Sequence, residues 1–488
     1  MTYAELTDTE QRLEHTYRDW NGAPERQTRT WVDEYGWQVW RSTYLDLRAN
    51  GRPHERAIRE IENEIDRIHG REPRWGELDP LPPPPPPIAG QLRSDGRGFL
   101  DDSGPVLPLG CHFGEAFSAF VRRPDAVKAQ LEVIKAAGYD FVRFWDVLGY
   151  YPAWLGREVT PSPFTSRDGR SIRATPDYYE QLRRFLRACA DIGLRVQWSR
   201  GDMNAFSTAA WQAHFSRLAD LAAETSTTIA LFEGLNEAWQ NGADHPTFLL
   251  GYTDIVRQRV PQALYGLSCP PGASEDPEPV REWSPSGMLP IIHGFRGGTY
   301  ADRIRHIFSE GYEVFPLINR RLGWQGEPSG PGSGVTVGQT NNTEALVLMA
   351  AMSLMARQTW VYMSGRGVFW DGPIQDQLGF AEVPQMRAKF PKDLMRWPTL
   401  CHGGQTWQGA RVFVDDSNGA RRRDQAISSD GRVMAVCYGT KASDLVERDV
   451  RGVFIHPRTL QTTVVDARAG QRISAPGDVG AVFIGELI

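Results

Sequence analysis

Between about residues 100 and 365 the chain alternates short apolar runs, often β-branched or aromatic, with longer segments of helical period. The runs that read as buried strands are 106–111, 141–145, 195–199, 228–235, 265–269, 290–294, 322–326 and 360–363. The helical patterns between them include 126–137, 176–192, 209–225, 301–310 and 343–357. Eight such alternations over roughly 260 residues predict an α/β protein of (β/α)8 TIM-barrel architecture, for which about 250 residues is typical. An open doubly wound sheet is the rival. It wants a glycine-rich phosphate turn after its first strand, and Leu109-Gly-Cys-His-Phe-Gly-Glu115 has only two glycines with no helical pattern directly behind them.

The pattern differs at both ends. Residues 1–80 read as a charged helical segment, with helices over about 4–20, 25–48 and 53–69; Asn50-Gly51 supplies a stop and Pro53 a start. Ile58, Ile61, Ile65 and Ile68 form an a/d seam about two heptads long. This predicts either a helical hairpin packed on its own neighbours or a helix that oligomerises or docks on a partner. Residues 81–94 form a proline-rich linker, and Pro82–Pro87 is a stiff polyproline spacer. Ser94-Asp-Gly-Arg-Gly-Phe-Leu-Asp-Asp-Ser-Gly104 predicts a small hairpin with glycine turns. The barrel is assigned to 95–405. From 406 to 488, short runs such as Arg432-Val-Met-Ala-Val-Cys-Tyr438 and Gly480-Ala-Val-Phe-Ile484 alternate with turn residues, which predicts a C-terminal all-β, sandwich-like domain. Its role reads as structural or weakly sugar-binding.

At 488 residues, 41% of them hydrophobic, two or three domains with a sizeable core are expected. A formal charge of −6, with both signs interspersed, argues against a nucleic-acid partner. Cys111, Cys189, Cys269, Cys401 and Cys437 are odd in number and far apart, so neither a disulfide framework nor a zinc site is expected. The first residues are polar and acidic, without the apolar stretch of a signal peptide, and no run suffices for a membrane span. The location expected is therefore cytoplasmic or particle-associated. The sixteen tryptophans either fill the barrel or offer exposed platforms of the kind sugar rings stack on.

The chemistry centres on Thr228-Ile-Ala-Leu-Phe-Glu-Gly-Leu-Asn-Glu-Ala-Trp239, an apolar run closed by Asn236-Glu237. A carboxylate at the carboxyl end of a barrel strand sits where this architecture keeps its active site. A second one ends the seventh run in Trp324-Gln-Gly-Glu-Pro-Ser, where Pro328 stops the strand after Glu327. The two lie 327 − 237 = 90 positions apart, as three βα units of about 30 residues each require. Asn-Glu closing strand four, with Glu closing strand seven, resembles the retaining glycoside hydrolases with (β/α)8 barrels, the cellulase- and mannanase-like clan. The resemblance implies a glycosidase that cleaves a poly- or oligosaccharide by double displacement, without metal or cofactor. Glu237 would be the acid/base, Glu327 the nucleophile, and Asn236 the contact to the sugar 2-hydroxyl. It also implies that Arg143, ending strand two, hydrogen-bonds the nucleophile, that His293, ending strand six, orients it, and that the hairpin plugs the barrel floor.

Further residues are placed by position. Trp370 follows strand eight and is expected to floor the cleft; Trp145, Trp198 and Trp239 are further stacking candidates. His112 and Glu115 follow strand one and Arg200 and Asp202 strand three, all four as possible cleft residues. Glu233 competes with Glu237. It shares the same strand parity but lies about 13 Å lower, which predicts a buried, hydrogen-bonded structural role. The clan's motif usually continues with Pro, whereas Ala238-Trp239 stands here. A non-catalytic glycan-binding or structural component is the alternative, and the layout of head, spacer and barrel resembles glycan-cleaving parts of phage particles. A metal-dependent barrel hydrolase is disfavoured, because Cys111-His112-Phe113 offers one histidine where such enzymes want His-x-His.

Overall fold

The computed structural model describes residues 57–63, 88–201, 206–239, 241, 246–270, 277–285, 287–294, 298–328, 330–331, 342–402, 411–414, 421–439, 443–477 and 479–488. Two compact units are present, Met1–Pro85 with Arg123–Ala129, and the remainder. In the first, residues 57–63 are helical with Ile58 and Ile61 buried; Ile65, Ile68 and the proline run lie outside the described residues. No helix among the described residues is long and apolar enough to cross a membrane.

In the second unit eight parallel strands close into a barrel. They are β1 (Leu109–His112), β2 (Phe141–Trp145), β3 (Arg195–Ser199), β4 (Ile229–Glu233), β5 (Tyr265–Ser268), β6 (Leu289–Ile292), β7 (Gly323–Gln325) and β8 (Gln358–Tyr362). Nearly every residue in them is buried, as expected of parallel strands covered on both faces. Alternation then divides their side chains. Phe141 meets Trp324 across the interior at 5.0 Å between ring centroids. Phe144 turns the other way, onto Phe185 of helix Tyr178–Ile192.

Helix boundaries follow local chemistry. Ser207 and Asn342 accept from the backbone at the starts of Thr208–Glu224 and Thr343–Met355, Thr299 and Asp302 form a capping box before Tyr300–Ser309, and Gly193 closes Tyr178–Ile192 at φ 79°. Two strand expectations shift. Gly104–Val106 is not the start of β1 but the last strand of a three-stranded sheet with Arg93–Ser94 and Phe99–Asp101. That sheet closes the barrel floor. Phe99 stands edge-on to Trp324, and Arg195 at the start of β3 donates to Asp101 at 2.9 Å. Residues 88–94 thus belong to the folded unit rather than to a spacer. The fourth strand ends at Glu233, not Leu235.

The C-terminal part is antiparallel. Six strands, Thr399–His402, Arg421–Ile427, Arg432–Gly439, Gly480–Leu487, Val450–Ile455 and Thr462–Ala467, form one sheet in that spatial order. Phe413–Val414, Ser443–Val446 and Arg472–Ser474 form a second. Phe413, Phe454 and Phe483 pack together in their shared core. The first strand starts at Thr399, before the expected boundary at 406. Helix Thr343–Met355 explains why its sequence is apolar on every side: it packs against both β8 and the large sheet, and nearly all of it is buried.

Candidate active site

The carboxyl ends of the strands converge on one guanidinium. Arg143, on the inward face of β2, is fully buried. Its Nε and Nη2 donate to the two oxygens of Glu233 at 3.1 and 3.2 Å. Its Nη1 donates to Glu327 Oε1 at 2.5 Å and its Nη2 to Asn236 Oδ1 at 2.5 Å. His112 Nδ1 lies 3.4 Å from Nη1. Burial alone would lower the Arg143 pKa, but the adjacent Glu233 and Glu327 carboxylates hold it above its ordinary value.

Below this point the interior is a polar column. Trp324 Nε1 donates to Gln197 Oε1 at 2.8 Å, and Gln197 Nε2 donates to Glu233 at 2.8 Å. Ser268, closing β5, also donates to Glu233. Glu233 is fully buried. Burial pushes its carboxyl up, yet the Arg143 charge, then His293 and the Ser268 hydroxyl, hold it below the ordinary value. Its buried, hydrogen-bonded role is the expected one.

Glu237 lies beyond the strand. The chain turns after Glu233 and Glu237 takes the left-handed conformation, φ 43°, so strand parity does not direct its side chain. The turn is held at several points. Glu237 N–H donates to Ser268 Oγ at 3.3 Å, Asn241 N–H to the Glu237 carbonyl at 3.1 Å, and Asn241 Nδ2 to the Asn236 carbonyl at 2.7 Å. Glu237 Oε1 sits 3.1 Å from His293 Nδ1, whose distance to Glu327 Oε2 is 3.7 Å. One oxygen of Glu237, one of Glu327 and a His293 nitrogen all lie within 4.8 Å of one another. His293 is therefore nearer the Glu237 carboxylate than Glu327, whose orientation it was expected to fix.

The aromatic candidates separate clearly. Ten of the sixteen tryptophans are described, and eight of those are buried. Only Trp239 and Trp370 are half-buried. Trp239 stands edge-on to His293 at 5.8 Å and Trp370 to Phe113 at 5.1 Å. Trp370 also takes a left-handed backbone, φ 41°. Trp145 is buried at the head of β2, its ring edge-on to His112 and Trp154 and within 5.9 Å of the Arg143 guanidinium.

Trp198 is a correction. It points outward from β3 and is fully buried, with its indole N–H given to Asp146 at 2.8 Å, so it presents no face to a sugar. Alternation along β3 decides this, because Gln197 takes the inward position. Arg200 is likewise outside the cleft, its guanidinium between Phe215 and Phe232. Glu115 pairs with Arg157, and Asp202 lies outside the described residues. Ser268, Asn241 and Tyr151, which donates to Asn241 Oδ1 at 2.8 Å, were not anticipated. Ser268 was findable, since it is the penultimate residue of the fifth candidate strand; the other two sit on loops without a pattern.

The closed barrel of eight parallel strands is the (β/α)8 fold that barrel glycoside hydrolases share. Solved structures agree. The chain superposes on a glycoside hydrolase with TM-score 0.57 and 12% identity, covering 82% of this chain and 97% of that one. A family 5 glycoside hydrolase from Bacteroides vulgatus gives TM-score 0.56 and 12% identity, covering 82% and 93%. No family model and no curated protein matches the sequence. At this identity the likeness is one of fold.

Proposed function

We propose that the protein is a retaining glycoside hydrolase acting on a poly- or oligosaccharide, with Glu327 as nucleophile and Glu237 as acid/base. The observation that carries this reading is the approach of the Glu237 and Glu327 carboxylates to within 4.8 Å. Retaining enzymes hold their two carboxyl groups about 5–5.5 Å apart, whereas inverting ones need about 6.5–9.5 Å to admit a water.

In this reading a Glu327 oxygen attacks the anomeric carbon while Glu237 protonates the departing oxygen. Glu237 then takes a proton from water, which attacks the glycosyl–Glu327 ester and releases the sugar with its original configuration. Arg143 fixes Glu327 Oε1 and supplies a positive charge beside it. The same guanidinium occupies Asn236 Oδ1, which leaves the Asn236 amide N–H groups as donors toward a sugar hydroxyl. His293 lies near both carboxylates, and Trp239 and Trp370, half-buried, would meet a sugar ring.

The test is hydrolysis of an aryl-glycoside panel, with the first-formed anomer read by proton NMR. Glu327→Gln is expected to reduce kcat/KM by more than about 10³-fold. Equal activity of Glu327→Gln and the parent would refute the nucleophile assignment, and an inverted first product would refute the mechanism.

A further inference from the structure

The loop after β2, residues 146–176, is long for a βα connection and carries four arginines whose environments differ. Arg157 pairs with Glu115, and Arg170 with Asp168 and Glu158. Arg167 is exposed, and among the described residues no carboxylate pairs with it. Its guanidinium instead lies over two aromatic rings, 4.8 Å from the Tyr151 centroid and 5.9 Å from that of Tyr150. Its backbone N–H donates to the Tyr150 carbonyl at 2.7 Å, which holds this part of the loop against the tyrosines. Those rings stand edge-to-face at 5.3 Å. Stacking of this kind holds a guanidinium in place while leaving its in-plane N–H fork available.

The position relates this cation to the catalytic turn. Tyr151 donates through its hydroxyl to Asn241 Oδ1, and Asn241 in turn holds the backbone carbonyls of Asn236 and Glu237. The aromatic pair and its arginine are thus built onto the same turn that presents Glu237.

We infer that Arg167, stacked on Tyr150 and Tyr151, is a subsite for an anionic substituent, a uronate carboxylate or a sulfate ester, on a sugar neighbouring the bond to be cleaved. A planar fork matched to two oxygens suits either anion, and a tyrosine face suits the apolar face of the sugar that carries it. The inference rests on the glycosidase reading for its place beside the cleaved bond, and it names the substrate class: acidic glycans.

The experiment separates the two readings. The full chain, its Arg167→Gln variant and its Glu327→Gln variant are run in affinity gels containing a polyuronate, the same polymer after carboxyl reduction, a sulfated galactan, or the same galactan desulfated. The parent and Glu327→Gln are expected to be retarded by at least one acidic polymer and about tenfold less by its neutral counterpart, as loss of one charge-assisted contact implies. Arg167→Gln, at unchanged melting temperature, is expected to lose that preference. Which polymer retards the protein distinguishes carboxylate from sulfate. Retention of the preference in Arg167→Gln, equal retardation by acidic and neutral polymers, or no retardation by any of them overturns the inference. Whether Glu327→Gln also abolishes hydrolysis bears on the catalytic proposal alone.

Discussion

Replacing Arg143 by lysine keeps the charge and removes the fork, and so tests the centre of the site. The guanidinium makes two bonds to Glu233, one to Glu327 and one to Asn236 from a fully buried position. An ammonium offers three donors from a single point and cannot reproduce that planar arrangement across three partners. Loss of one or two charge-assisted bonds at about 1.5–3 kcal/mol each predicts a destabilisation of about 1.5–6 kcal/mol. The catalytic consequence is separable. If Glu327 is no longer held, a displacement of about 1 Å costs on the order of 10²-fold in rate. Urea unfolding of Arg143→Lys reads the first effect; aryl-glycoside hydrolysis reads the second. A variant with kcat/KM within threefold of the parent and the same urea midpoint would show that Arg143 does not organise the carboxylates.

Glu310, buried in the π-helical turn Glu310–Val314, has its carboxyl pushed up to about 8 by burial, against an ordinary 4.5. The native state then binds more protons than the unfolded chain between those values, so stability falls as pH rises through that window. Glu310→Gln should flatten the decline, and equal slopes in urea midpoints between about pH 5 and 8 would refute this. Trp198→Ala should cost about 3–5 kcal/mol as a core deletion, with KM unchanged in the folded fraction; a KM effect larger than the stability effect would return Trp198 to the cleft. Glu237→Gln should depress kcat most for substrates with poor leaving groups, whereas Glu233→Gln should chiefly lower the urea midpoint. The reverse pattern would exchange their roles.

The barrel was legible because parallel strands covered on both faces read as apolar runs, and β2 and β3 fall on their expected residues. The floor was less so. The run at 106–111 joins two strands of different sheets, since Gly104–Val106 pairs with Phe99–Asp101 while Leu109 begins β1. Apolarity marks both alike, and only two residues outside either strand, Leu107-Pro108, separate them. Trp198 shows a second limit. The residue ends a strand near the mouth, but which of Gln197 and Trp198 faces inward depends on the barrel's register, where Arg143 pairs with Gln197. A polar residue flanked by apolar ones invites the assignment of the polar side to solvent; here it belongs to an interior column.

The choice between Glu233 and Glu237 turns on the same physics. Parity along an ideal strand places both on one side and separates them only by height. In the structure the strand ends at Glu233, and three residues, Gly234-Leu235-Asn236, carry the chain to Glu237. The left-handed backbone at Glu237 is a conformation that a non-glycine residue adopts at a cost of order 1–3 kcal/mol, and the bonds from Ser268 and Asn241 hold it there. The two carboxylates thereby acquire opposite environments. Glu233 has no exposure and is bound to Arg143, Gln197 and Ser268. Glu237 keeps 21% of its side chain exposed and faces His293. The proposed acid/base, which would exchange protons with substrate and water, needs the second environment, and a group that holds a buried guanidinium needs the first. That contrast is written in the turn, and the apolar run before it is the same for both.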